Sequence, residues 1–130
     1  MSMWSLAEKL EFKKTLEERT SAFAVAVFKC LDLLPRSNSS KVIAFQLGKS
    51  ASSIGANYRE ANRAESAEDF THKIGIALKE AAETLYWTGI LKRMYPERAD
   101  VESLAVECDE LVRIFQSVRS KLSRGKDADK

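Results

Sequence analysis

Proline occurs at only two places in the 130-residue chain, positions 35 and 96, and the stretches around them repeat with the spacing of a helix. Proline lacks a backbone donor and its ring clashes with the preceding turn, so helix interiors exclude it. The two prolines divide the chain into three helix-compatible blocks. The middle block, Arg36 to Tyr95, is too long for one globular helix and contains a new start at Ala64-Glu65-Ser66-Ala67-Glu68-Asp69. Ser66 is placed to cap the next helix, with Asp69 reaching back in a capping box and the acids favoured by the helix dipole. The prediction is an all-α, antiparallel, up-down-up-down four-helix bundle with helices over about 6–34, 38–63, 66–94 and 100–122, the last capped by Asp100.

Apolar or small residues define one seam per predicted helix. The first runs through Leu16, Thr20, Phe23, Val27, Cys30 and Leu34, and the second through Ile43, Leu47, Ser50, Ile54, Asn57 and Ala61. The third uses Phe70, Ile74, Ala77, Ala81, Leu85 and Thr88. In the fourth, Val101, Leu104, Cys108, Leu111, Phe115, Val118 and Leu122 keep heptad spacing without a miss. Steps of three and four residues place each set on one helix face.

With 45% hydrophobic and 31% charged residues, the chain has enough apolar surface for one core and enough charge to stay solvated. Residues 1–122 are read as a single bundle domain, and 123–130 as a charged tail that frays. The longest uncharged apolar stretch, Ser21 to Phe28, is too short to span a bilayer, and Met1-Ser2-Met3-Trp4 lacks a signal-peptide pattern. A cytoplasmic protein with no membrane partner is expected. Cys30 and Cys108 occupy seam positions, which suits small buried hydrophobes better than a redox pair.

Two features exceed the needs of a monomer. Val25, Phe28 and Leu31 on the first helix, with Ile76, Trp87, Ile90 and Met94 on the third, are apolar outside the seams and form the candidate oligomer interface. Glycines also sit inside helices, each costing about 1 kcal/mol relative to alanine. Gly48, Ser52 and Gly55 form one small-residue stripe and Gly75, Ala82 and Gly89 another. Such stripes let backbones approach closely, either between the second and third helices or between subunits.

Most chemistries are excluded by what the chain lacks. A di-iron bundle needs two Glu-x-x-His pairs, and the only histidine is His72. There is no Gly-rich phosphate loop or nucleophile elbow, and neither cysteine has a histidine partner by motif. The expectation is no enzyme, with no catalytic residue, metal site or cofactor. Asn57, Glu60 and Glu83 are the polar residues placed nearest the seams, and are read as a structural polar network that sets register.

The central residues resemble a known family. Ser53-Ile54-Gly55-Ala56-Asn57-Tyr58-Arg59-Glu60-Ala61, then Ser66-Ala67-Glu68-Asp69-Phe70, then Ile76-Ala77-Leu78 up to Glu83 are similar to the bacterial four-helix bundle proteins first recognised in intervening sequences of 23S ribosomal RNA genes. That family shows Ser-Ile-Pro-x-Asn-Ile-Ala-Glu-Gly, Ser-x-x-Glu-Phe, and Ile-Ala-x-Gly-Ser with a later Glu. Gly55 replaces its proline, Ala61 its last glycine, and Lys79-Glu80 its Gly-Ser, which marks a divergent branch. The likeness is detailed from about Val42 to Leu91 and extends elsewhere only to helix layout. It implies this bundle topology, assembly into a homopentamer, and kinship with the accessory protein of diversity-generating retroelements, which binds nucleic acid and a reverse transcriptase. It does not supply a function.

Charge adds two competing readings. The net charge is only +2, but Lys29 to Arg63 carries six basic residues against two acids. Arg113 to Lys126 carries five basic residues and no acid, whereas Glu97 to Glu110 carries six acids and one base. The acidic-to-basic run along the fourth helix follows its dipole. In the first reading a ring of subunits multiplies Arg36, Lys41, Lys49, Arg59, Arg63, Arg113, Arg119, Lys121 and Arg124 into a field for RNA or DNA. In the second the chain is a protein-binding or purely structural oligomer, and no aromatic residue is interleaved with the basic tail to stack on bases.

Overall fold

The computed structural model describes residues 3–128, with side chains described through Arg124. It is a four-helix bundle of α1 (Leu6–Asp32), α2 (Asn38–Asn62), α3 (Ala67–Met94) and α4 (Ala99–Ala128), and no strand occurs among the described residues. Contacts along the helices give the topology. Gly48 lies against Phe28 and Gly55 against Thr20, so α2 descends as α1 rises. Lys92 pairs with Glu102 at 2.8 Å, and the Cys108 thiol donates to the Ala81 carbonyl at 3.4 Å, so α4 runs against α3. The bundle closes where Arg19 of α1 meets Glu107 of α4. Among the described residues the backbones of the diagonal pairs, α1 with α3 and α2 with α4, stay apart, with no Cα atoms within 8 Å of each other.

Serine starts three of the helices for one physical reason, the four first-turn N–H groups that have no partner within the helix. The hydroxyl of Ser5 accepts from the Glu8 N–H, that of Ser37 from Ser40, and that of Ser66 from Asp69, at 3.1, 3.0 and 3.0 Å. Each such cap contributes about 1 kcal/mol. The fourth start differs from the prediction. α4 begins at Ala99, and the Arg98 carbonyl accepts the first helical bond from Glu102 at 3.3 Å. Asp100 therefore lies inside the first turn, where Arg98 grips its carboxylate at 3.0 and 2.6 Å. At its far end α4 continues to Ala128, beyond the predicted stop at Leu122. No proline interrupts it, and Arg119, Lys121 and Arg124 suit the negative end of the dipole. Residues 129 and 130 lie outside the described residues, as does the side chain of Lys126.

The seams meet as predicted in one core. Phe23, Val27, Leu47, Ile54, Ile74, Ala81, Leu104, Leu111 and Phe115 are buried together. Each large aliphatic or aromatic member removed from water contributes about 1.5–3 kcal/mol. Tyr58 joins them, packing edge-on against Phe115 with ring centroids 5.6 Å apart. Polar seam residues are satisfied within their own helices: Thr20 donates to the Leu16 carbonyl at 2.9 Å and Thr84 to that of Glu80 at 2.7 Å. Thr84 also reaches the Ser50 hydroxyl of α2 at 2.9 Å.

Candidate functional site

The glycine stripes have different roles. A Cβ on Gly48 would stand 3.0 Å from the Phe28 ring, and one on Gly55 2.8 Å from the Thr20 hydroxyl. The α2 stripe thus seats α1, not α3. Nothing lies within 4 Å of the corresponding points at Gly75 and Gly89, so the α3 stripe opens outward.

The contact of Phe28 with Gly48 and the bond of Thr84 to Ser50 set three helices at one level. Near that level exposed apolar residues lie on both α1 and α2. Phe28 and Val25 are 47% and 53% exposed on α1, and Val42 and Phe45 are 55% and 66% exposed on α2. On α3, Trp87 is partly exposed and Met94 is 42% exposed. The candidate interface is therefore divided. Val25, Phe28 and Met94 are exposed, Ile76 is half-buried, and Trp87 and Ile90 are partly exposed while packed on the core. Leu31 is buried beside Gly48, because the close α1–α2 approach turns its position inward. Val42, Phe45 and Tyr86 belong to the exposed set and were missed. Their signal was the outward i, i+3 spacing of Val42 and Phe45 opposite the Ile43–Leu47 seam.

The nine candidate basic residues do not form one patch. Arg36, Lys41, Lys49, Arg59 and Arg63 lie on α2 or its ends, whereas Arg113, Arg119, Lys121 and Arg124 lie on the diagonal helix α4. Two of them have acid partners: Arg59 pairs with Glu17 at 3.3 Å and Arg113 with Asp109 at 3.0 Å. Lys49 sits 6.0 Å from the Phe45 ring centroid, which places a cation at the edge of the apolar face.

Asn57, Glu60 and Glu83 are not brought together. The Asn57 amide donates to the Ser53 carbonyl of its own helix at 2.8 Å, and Glu60 and Glu83 are exposed. The interhelical polar contacts lie elsewhere. Arg19 donates to both Glu107 oxygens at 2.8 and 2.7 Å and also meets Glu110; these charge-assisted bonds raise its pKa. The Asn62 amide donates to Glu17 at 2.9 Å, beside buried Tyr58, whose phenol is raised chiefly by burial. Glu80 is likewise raised, by burial first and then by Glu83.

The thiols are built for inertness. Burial pushes Cys30 up to about 11 and Cys108 to about 12, so both are neutral at physiological pH, and thiols in that state are poor nucleophiles. His72 is exposed. Among the described residues no group of three or more His, Cys, Asp or Glu side chains is arranged to hold a metal ion, and no helix is long and apolar enough to cross a membrane.

Known proteins add a family to this geometry. A solved structure from Bacteroides thetaiotaomicron, described as a protein with unknown function from the S23 ribosomal protein family, superposes with a TM-score of 0.71 at 35% identity. The match covers 79% of this chain and 96% of that one. No curated protein matches. The profile of the 23S rRNA-intervening sequence proteins matches residues 13–117, most of all four helices, and the chain belongs to the 23S rRNA-intervening sequence protein family.

Proposed function

We propose that the chain is a non-enzymatic subunit of a homo-oligomeric helical scaffold that associates weakly, and without sequence preference, with nucleic acid. The observation that carries this reading is the exposed apolar face of Val25, Phe28, Val42 and Phe45 with Lys49 at its edge. Large apolar side chains grouped across two adjoining helices mark an association surface. Self-association there repeats the exposed cations of every copy, so that a small charge per chain becomes a strong field. A homopentamer is the assembly that the family resemblance implies.

Sedimentation and filter binding test the two halves separately. Phe45→Glu is expected to lower the sedimenting mass while helical circular dichroism persists; an unchanged mass removes this face from assembly. Binding of RNA and duplex DNA is expected to fall steeply with salt, and no binding at low salt refutes the nucleic-acid half. The alternative is a protein-binding or purely structural oligomer with no nucleic-acid role. It draws support from the separation of the basic residues onto diagonal helices and from the pairing of Arg59 and Arg113 with acids.

A further inference from the structure

At the end of the bundle away from the apolar face, α1 and α4 outrun their neighbours. α2 stops at Asn62 and α3 starts at Ala67, while the first turns of α1 and the last turns of α4 carry on. Of the four adjoining pairs, α1 and α4 pack least, and between them opens an apolar cleft of about 820 Å³. Trp4 and Phe12, with ring centroids 5.2 Å apart, form one wall, and Ile114, Val118 and Leu122 the other. Val118 and Leu122 are the last members of the α4 heptad and stay half-buried, because the cleft separates them from the α1 wall.

Lys9, Lys13 and Lys121 line this cleft and its inner recess, and no carboxylate among the described residues does. None of the three lysines has an ion-pair partner among the described residues. Glu17, close to the recess, is engaged by Arg59 and Asn62. Asn62, a residue of the recess lining, also carries an unsatisfied acceptor. Asn62 Oδ1 is buried without a donor, and the bond from its amide nitrogen to Glu17 sets which way the side chain points.

We infer that the cleft receives an acidic amphipathic helix of a partner protein. Its apolar anchors at i, i+3 or i+4, and i+7 enter between α1 and α4, and flanking carboxylates meet Lys9, Lys13 and Lys121. Ile114 to Leu122 offers a wall of about 12 Å at 1.5 Å per residue, matching two turns of a visiting helix. The cleft is partly open to solvent, whereas a small apolar ligand is held by fuller enclosure. A second copy does not supply the helix: in the acidic stretch from Glu97 to Glu110, Val101, Leu104 and Cys108 are buried in its own bundle.

The probe is a fluorescein-labelled designed peptide of about four helical turns, with leucine at the anchor positions and glutamate on the flanks. A scrambled peptide of equal composition is the control, and anisotropy is the readout. Saturable binding of the amphipathic order alone is expected. Lys9→Glu combined with Lys13→Glu should weaken it about tenfold or more by replacing attraction with repulsion. Ser117→Trp, a change at an exposed lining position, should block the cleft while helical circular dichroism is retained. Equal binding of both peptides, or no response to charge reversal, overturns the inference. So does binding of dodecanoate where the peptide fails to bind, or a loss of self-association in Ser117→Trp without peptide binding. Lys9 and Lys13 are not among the candidate nucleic-acid residues, so filter binding of RNA by the charge-reversed variant separates this inference from the proposed function.

Discussion

Gly55→Ala measures how tightly α1 and α2 are pressed together. An alanine in a helix interior is favoured over glycine by about 1 kcal/mol. At Gly55 the added methyl would lie 2.8 Å from Thr20 Oγ1 and 3.1 Å from Thr20 Cβ. Thr20 is fully buried, and its hydroxyl is held by the carbonyls of Leu16 and Glu17 at 2.9 and 3.0 Å. Any retreat of that hydroxyl would break these bonds inside the core. Overpacking of this kind costs about 1–3 kcal/mol, so the net expectation is a loss of about 1 kcal/mol after the helical gain. Gly75→Ala and Gly89→Ala meet nothing within 4 Å and should realise the full gain of about 1 kcal/mol each. Urea unfolding followed by circular dichroism, at one fixed protein concentration because association shifts apparent stability, should separate Gly55→Ala from Gly75→Ala by about 2 kcal/mol. Thr20→Ala removes Oγ1, the nearer of the two colliding atoms, and keeps Cβ, so the double variant should recover part of the loss, with a coupling of about 1 kcal/mol. Equal stabilities for Gly55→Ala and Gly75→Ala, or additive effects in the double variant, refute the close approach.

Three further outcomes follow from the contacts. The hydrogen bond and charge of Arg98 hold the Asp100 carboxyl below its ordinary value. Its contribution is therefore complete above the ordinary aspartate range and disappears as pH falls through the lowered value; Asp100→Asn should flatten the thermal midpoint against pH in that acidic window. Thiol reagent at mildly alkaline pH should modify neither Cys30 nor Cys108 in the folded chain and both in denaturant, and rapid native labelling of either contradicts its burial. Glu107→Gln removes the charge from a part-exposed pair with Arg19 and should cost less than about 1 kcal/mol, with the difference shrinking at high salt; a larger, salt-independent loss points to a packing role for Arg19.

The helices and their inward faces were legible because both depend on local rules. Proline placement, serine caps and steps of three and four residues act within a few turns of each residue, and Leu16, Leu47, Ile74 and Leu111 are buried where that spacing puts them. The family motif was legible for the same reason, as a short run of residue types from Ser53 to Glu83. The start of α4 was misread because two local options competed for Asp100. Its carboxylate could cap the helix or bind Arg98, and the chain direction after Pro96 brings Arg98 within reach.

Relations between helices were decided by the tertiary structure alone. Periodicity identifies a small residue on a helix flank but not which neighbour occupies that flank, so only the packed bundle shows that Gly48 and Gly55 seat α1 while Gly75 and Gly89 face outward. Likewise, Leu31 and Phe28 read alike as apolar residues beside a seam, yet one is buried and the other half-exposed. The unequal reach of the helices, which leaves Val118 and Leu122 only half-buried, depends on where α2 and α3 turn relative to the ends of α1 and α4. Sequence spacing encodes the angle of a side chain about its own axis; burial depends on the distance to the next axis, and that distance exists only once the four helices have packed.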